Sequence, residues 1–167
     1  MGAGPMTVSI EPMTPEDLAA VVSVEGESFT EPWSQDLFGA EIIQANRLYV
    51  VAKDPSGEVC GYGGIMVSGE DAHIVTLAVA PEHREQGLGS RLLLRLINEA
   101  SARQVHHLTL EVRESNIAAQ DLYRKFGFDR AGIRRGYYRT EDAVIMWAVD
   151  IDSPAYRDRL HQIGRTA

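Results

Sequence analysis

The stretch whose residue types and spacing most suit chemistry runs from Val75-Thr76-Leu77-Ala78-Val79 through Ala80-Pro81-Glu82-His83 to Arg84-Glu85-Gln86-Gly87-Leu88-Gly89-Ser90. It reads as a strand feeding a glycine-bearing loop at the start of a helix. Gly87 and Gly89 let backbone approach a ligand closely, and the unpaired N–H groups of a first helical turn, with the helix dipole behind them, favour an anion. Arg84 adds local positive charge. A pyrophosphate fits this description, although a Gly-x-Gly pair also serves a plain strand-to-helix turn. Two other phosphate motifs fail on residue identity. A dinucleotide fingerprint starting at Gly87 needs glycine at position 92, which is Leu92, and no Gly-Lys-Ser/Thr occurs for a nucleotide P-loop.

The loop sits in an α/β pattern. Thr7 to Met13 reads as a strand, Thr14-Pro15-Glu16-Asp17 as a helix opening, and Ser34 as the cap of a second helix reaching about Ala45. Leu48 to Lys53, Val59 to Val67 and Ala72 to Val79 are β-rich runs joined by turn chemistry, including Asp54-Pro55-Ser56-Gly57. Gly87 to Arg103 has the apolar spacing of an amphipathic helix, and His107 to Arg113 alternates, with Leu108, Leu110 and Val112 on one face and Thr109 and Glu111 on the other. Ile117 to Phe126 is a helix ended by Gly127, while Phe128 to Tyr138 and Ala143 to Val149 form a hairpin. The order β-α-α-β-β-β-α-β-α-β-β predicts an α/β fold with a mixed, mostly antiparallel sheet of about seven strands and about four helices on its faces. A flexible segment 1–6 precedes a domain over 7–150, and the tail 151–167 can form a short helix from Ser153-Pro154.

Composition narrows the partners. In 167 residues there are 24 acidic against 16 basic side chains, a formal net charge of -8. That balance argues against direct nucleic-acid binding, which needs a basic footprint, and leaves open how an anionic ligand is held. The single cysteine, Cys60, forms no internal disulfide and reads as a small core residue, so a reducing, cytoplasmic setting is expected. No targeting segment or apolar run of membrane-spanning length appears. The five histidines lack metal-ligand spacing, and no metal is expected.

With these residues in place, the loop resembles the acetyl-CoA signature of the GNAT N-acetyltransferase superfamily, Gln/Arg-x-x-Gly-x-Gly/Ala, through Arg84, Gly87 and Gly89. A second block, Leu108-Thr109-Leu110-Glu111-Val112-Arg113-Glu114-Ser115-Asn116-Ile117-Ala118-Ala119 to Leu122-Tyr123 and Gly127-Phe128, is similar to the bacterial ribosomal-protein alanine N-acetyltransferases within that superfamily. So are Glu31-Pro32-Trp33-Ser34, Arg134-Arg135-Gly136-Tyr137-Tyr138 and Glu141-Asp142-Ala143-Val144-Ile145-Met146, with Gly136 standing where Asn is expected. The resemblance spans nearly all of Ile10 to Val149 and implies the GNAT fold.

It also implies roles. Leu77, Ala78 and Val79 would bond the pantetheine arm through their backbone, and Arg84, Glu85, Gln86, Gly87, Leu88, Gly89 and Ser90 would surround the pyrophosphate of acetyl-CoA. Acyl transfer to an amine has two proton problems, because the ammonium must lose a proton and the departing thiolate benefits from gaining one. Glu111 matches the family's general base and Tyr123 its general acid. A carboxylate of ordinary pKa near 4.3 is a weak direct base, so either burial raises it or a water intervenes. Asn116 suits both a helix cap and a contact to the cofactor. Pro32, Trp33, Tyr137 and Tyr138 resemble the walls that hold an acceptor peptide, with Tyr137 and Tyr138 facing the Pro32-Trp33 loop, and Glu25, Glu27 and Glu31 would attract a basic one. An α-amine, with pKa near 7.7 to 8.0 against about 10.4 for lysine, is the easier to neutralise. That leans towards an N-terminal acceptor, and the resemblance implies the N-terminal alanine of a ribosomal protein, with a tRNA-modification protein as a further partner. A GNAT acting on lysine or a small amine, and a non-catalytic acetyl-CoA-binding module, are the rival readings.

Overall fold

The computed structural model describes residues 7–166, so the segment 1–6, expected to be flexible, lies outside the described residues. Seven strands, β1 (Ser9–Pro12), β2 (Arg47–Lys53), β3 (Val59–Ser68), β4 (Asp71–Val79), β5 (His107–Arg113), β6 (Asp129–Arg134) and β7 (Ala143–Ala148), hydrogen-bond in the order β1-β2-β3-β4-β5-β7-β6. The pairs β1–β2, β2–β3, β5–β7 and β6–β7 are antiparallel and β4–β5 is parallel. Five α-helices accompany them: α1 (Leu18–Ser28), α2 (Gln35–Ile42), α3 (Leu88–Ala102), α4 (Ile117–Lys125) and α5 (Pro154–Thr166). The sheet has the expected strand number and mixed character, with one helix more than expected. Residues cluster into two compact units, and both β4 and α3 pass from one to the other.

One unit runs to Met66 and takes in Val75–Leu96. Its chain entry follows the sequence signals. Thr14 N–H donates to Asp17 Oδ2 at 2.8 Å while Asp17 N–H returns a bond to Thr14 O at 2.9 Å, closing a single 3-10 turn before α1. Ser34 Oγ accepts from Leu37 N–H at 3.1 Å and starts α2, which stops at Ile42, short of Ala45, where Gln44 N–H bonds Glu41 O in a tighter turn. The core gathers around Phe38, fully buried, with Tyr49 and Tyr62 edge-on at 6.3 and 5.7 Å and Trp33 tilted against it at 5.2 Å. Truncating such a ring costs about 3–5 kcal/mol. Arg91 and Arg95 on α3 donate to the Val8 and Ile10 carbonyls, tying the helix to β1.

The other unit comprises Val67–Ile74 and Ile97 onward. Along β5 burial alternates residue by residue, with Leu108, Leu110 and Val112 buried, which puts Glu111 on the opposite face. The β4–β5 ladder has three rungs, Asp71↔His107, Ala72↔Leu108 and His73↔Thr109, while along its other edge β5 pairs with β7 from Leu108 to Arg113. The strand expected from Phe128 to Tyr138 ends at Arg134. Beyond it Gly136 has φ +63°, a left-handed conformation that Gly or Asn adopts readily, which explains the exchange of those two residues at this position. The tail is a docked helix of 13 residues. Tyr156 and Ile163 of α5 are buried, and the Tyr156 hydroxyl donates to Phe126 O at 2.6 Å.

Candidate active site

In the first unit, the loop after β4 has the backbone an anion site requires. Glu85 and Gly87 have φ +62° and +77°, and no side chain lies within 4 Å of where a Gly87 Cβ would stand. The first α-helical bond of α3 is Arg91 N–H to Gly87 O at 3.1 Å. Among the described residues, the N–H groups of Glu85 to Ser90 donate to no backbone acceptor. Six consecutive amides so released, at the positive end of a 15-residue helix, fit a pyrophosphate. Arg84 is exposed, its Nε donating to Val79 O at 3.0 Å and its Nη2 to Ser28 Oγ at 3.4 Å. Ala78 is buried, while Leu77 and Val79 are half-buried at the end of β4.

The same unit fixes Pro32 and Trp33. Glu25 of α1 is buried, accepting from Trp33 N–H at 3.0 Å through Oε2 and from the Tyr62 hydroxyl through Oε1. Burial raises its pKa above the ordinary carboxylate range, against the pull of those two bonds. Glu25 therefore does not join the exposed Glu27 and Glu31 as an acidic surface. It is a strut beneath the Trp33 loop, a role that apolar residues at helical spacing around it did not reveal.

In the second unit, Glu111 is only 10% exposed and both its oxygens are engaged, Oε2 with His73 Nε2 at 3.2 Å and Oε1 with Arg134 Nη1 at 3.0 Å. Sheet register explains the meeting. His73 pairs with Thr109, two residues before Glu111 on the same face; Glu111 pairs with Ile145, whose other neighbour Gly132 is two residues before Arg134. Neither partner was anticipated, because the juxtaposition exists only once β4, β5, β7 and β6 are in order. Burial and the Arg134 cation hold the His73 pKa below its ordinary value, against the pull of Glu111, so the imidazole is neutral at neutral pH.

Tyr123 of α4 is buried beside Phe128, with ring centroids 5.7 Å apart. Burial pushes its pKa well above that of a free phenol, so it remains a proton donor. Asn116 caps α4, its Oδ1 accepting from Ala119 N–H at 3.1 Å, and the buried Gln120 donates to Arg113 O and Glu114 O, binding α4 to the end of β5. Tyr137 and Tyr138 meet edge-to-face at 5.0 Å on the 135–142 loop rather than on a strand. Arg134 lies over the Tyr137 ring at 4.6 Å and Arg113 over Tyr138 at 4.2 Å. Gly136 N–H to Asp142 Oδ1, and Glu141 to Ser115 and Arg113, hold the loop. Tyr138 is pushed up to about 12, chiefly by burial.

Cys60 is buried and its thiol held above its ordinary pKa by that burial, as suits a core residue. Among the described residues no group of three His, Cys, Asp or Glu side chains is placed to hold a metal, and no helix is long and apolar enough to cross a membrane.

Residues 18–128 match the acetyltransferase (GNAT) family. The chain belongs to that family. This GNAT enzyme is an N-acetyltransferase, and relatives covering most of its length support that activity. It is 37% identical over 83% of its length to the [ribosomal protein bS18]-alanine N-acetyltransferase of Escherichia coli K12, of which the match covers 95%. It is 35% identical to the N-alpha-acetyltransferase RimI of Mycobacterium tuberculosis, with 86% of this chain and 92% of that protein covered. The crystal structure of the ribosomal-protein-S18-alanine N-acetyltransferase from Escherichia coli superposes with a TM-score of 0.80, at 35% identity over 86% of this chain and 94% of the other. The GNAT fold implied by the resemblance is thus the fold observed.

Proposed function

We propose that this enzyme acetylates the α-amine of an N-terminal alanine on a ribosomal protein, with acetyl-CoA as donor. The observation that carries the proposal is Glu111: a nearly buried carboxylate on β5, fixed by His73 and Arg134, in the same unit as a buried, protonated Tyr123. The names of the Escherichia coli and Mycobacterium tuberculosis relatives support the choice of an α-amine, and the former the choice of alanine on a ribosomal protein. Acetyl-CoA supplies an activated acyl thioester.

The released amides of Glu85, Gln86, Gly87, Leu88, Gly89 and Ser90, with Arg84, hold the pyrophosphate, while Leu77, Ala78 and Val79 offer backbone to the pantetheine arm and Asn116 its amide. Pro32, Trp33, Tyr137 and Tyr138 receive the first residues of the acceptor. Glu111 takes the proton that the acceptor ammonium must lose, and an α-amine of pKa near 8 makes that transfer easier than a lysine does. Tyr123 delivers the proton that the departing thiolate needs. Neither the relatives nor the described residues lend support to a tRNA-modification partner.

Purified enzyme mixed with acetyl-CoA and a basic peptide beginning with alanine should yield a peptide acetylated on its α-amine, read by fragmentation mass spectrometry. Absence of product, or product on lysine alone, would overturn the proposal.

A further inference from the structure

The loop 135–142 between β6 and β7 carries Tyr137 and Tyr138 but takes no part in the sheet ladder. Some of its bonds stay inside it. Gly136 N–H donates to Asp142 Oδ1 at 2.7 Å and Tyr138 N–H to Glu141 O at 3.2 Å, which sets the loop's shape without fixing where it stands. Its place is set from the turn 113–116 at the end of β5. Glu141 accepts there from Ser115 N–H at 2.8 Å through Oε1 and from Ser115 Oγ at 2.9 Å through Oε2, with Arg113 Nη1 3.4 Å from Oε2. Arg113 also reaches Thr140 Oγ1 at 3.3 Å and covers the Tyr138 ring, and Glu114 N–H donates to Asp142 O at 3.2 Å. Glu141 makes the two shortest of these ties, and both are charge-assisted. The Ser115 bonds hold its carboxyl below the usual range, so it is ionised at neutral pH.

The turn itself stands without Glu141. Asn116 N–H donates to Arg113 O at 3.0 Å, Asn116 caps α4, and the buried Gln120 reaches back to Arg113 O and Glu114 O. Tyr123 on α4 therefore keeps its place if the Glu141 tie is lost, whereas the two loop tyrosines do not. We infer that Glu141 is a positioning residue for the acceptor: its bonds to Ser115 hold the 135–142 loop, and with it Tyr137 and Tyr138, in the conformation that receives the acceptor's first residues. The inference rests on those tyrosines being the acceptor wall of an α-amine acetyltransferase. An acceptor meeting an untethered loop must order it on arrival, so its apparent affinity falls with the fraction of enzyme in which the loop is already in place. Once bound, the acceptor holds the wall itself, and turnover at saturation is kept.

E141A should raise the KM for an alanine-starting peptide about tenfold, leave kcat within about threefold and leave the KM for acetyl-CoA within about twofold. E141Q, whose carbonyl accepts from Ser115 N–H and whose amide donates to Ser115 Oγ, should bring the acceptor KM back to within about threefold of the parent. S115A removes only the hydroxyl bond and should raise that KM about threefold, and the double variant should be no worse than E141A alone, since both act through one tie. Thermal unfolding checks the fold of each. An unchanged acceptor KM in E141A overturns the inference, as does a fall in kcat at constant KM, which would place Glu141 behind Glu111 or Tyr123 instead. A KM for acetyl-CoA that rises in step with a lowered Tm, without recovery in E141Q, also overturns it, since Glu141 is then only a fold contact. If E141A does not fold, an unmoved acceptor KM in S115A overturns it in the same way. Parental enzyme that acetylates no α-amine overturns the proposed function and this inference together; parental turnover with an unmoved acceptor KM in the variants overturns the inference alone.

Discussion

The Arg84–Ser90 loop and the Glu111 carboxylate handle charge by opposite means. The loop presents main-chain N–H groups released at a helix start, so its function depends on backbone conformation and little on the side chains it carries. Glu111 depends on side chains alone, drawn from β4, β5 and β6, each reaching it by register. A negatively charged protein can hold an anionic cofactor because the first strategy needs no net positive charge, only aligned dipoles and one arginine. The second strategy is the tunable one: exchanging a single atom at Glu111 changes the chemistry, while the fold around it stays.

Breaking the side-chain arm should give the largest effect. Glu111→Gln keeps the shape and the strand but removes the proton acceptor, and turnover should fall by about 10²- to 10³-fold. Acetyl-CoA binding, measured by calorimetry, should stay within about twofold, because the loop belongs to the backbone arm. Equal loss of both would dissolve the contrast and remove Glu111 from its role.

Breaking the backbone arm should cost less and fall on the other observable. Gly87→Ala puts a Cβ on a residue at φ +77° with no neighbour within 4 Å, so strain in the left-handed region is the whole effect. That strain is about 1–2 kcal/mol. If the loop relaxes out of its conformation to escape it, acetyl-CoA affinity drops about tenfold while turnover at saturating acetyl-CoA is nearly kept. A fall in turnover at saturation, with affinity intact, would show that the loop does more than bind.

The same contrast decides what the sequence discloses. The loop is contiguous, so Arg84, Gly87 and Gly89 carry their geometry in their own spacing, and the element order shows in hydrophobic periodicity and turn residues such as Asp54-Pro55-Ser56-Gly57, where Asp54 Oδ1 accepts from Ser56 and Glu58. Glu111 and Tyr123 stand in one readable block, but His73 is 38 residues before Glu111 and Arg134 is 23 after it, joined through strands whose order periodicity does not specify. Glu25 misleads for a related reason. Its charge suggests solvent, and only the packing of Tyr62 and Trp33 around it turns it inward. The helical tail was half legible, since Ser153-Pro154 marks a start but nothing local says that Tyr156 will reach Phe126 O.

The smallest effect probes a residue in which both strategies meet. Asn116 uses its side chain to satisfy a backbone N–H, at Ala119, and so holds the first turn of the helix that carries Tyr123. Asn116→Ala loses the cap, about 1 kcal/mol, which in a domain of this size lowers Tm by about 2–4 °C. Asn116→Ser restores a capping oxygen but not the amide nitrogen, and its Tm should return to within about a degree of the parent. If the amide also touches acetyl-CoA, the serine variant keeps its stability and still binds the cofactor about threefold more weakly, roughly the loss of one neutral hydrogen bond. Parental affinity in the serine variant would confine Asn116 to the cap and leave cofactor binding to the backbone arm.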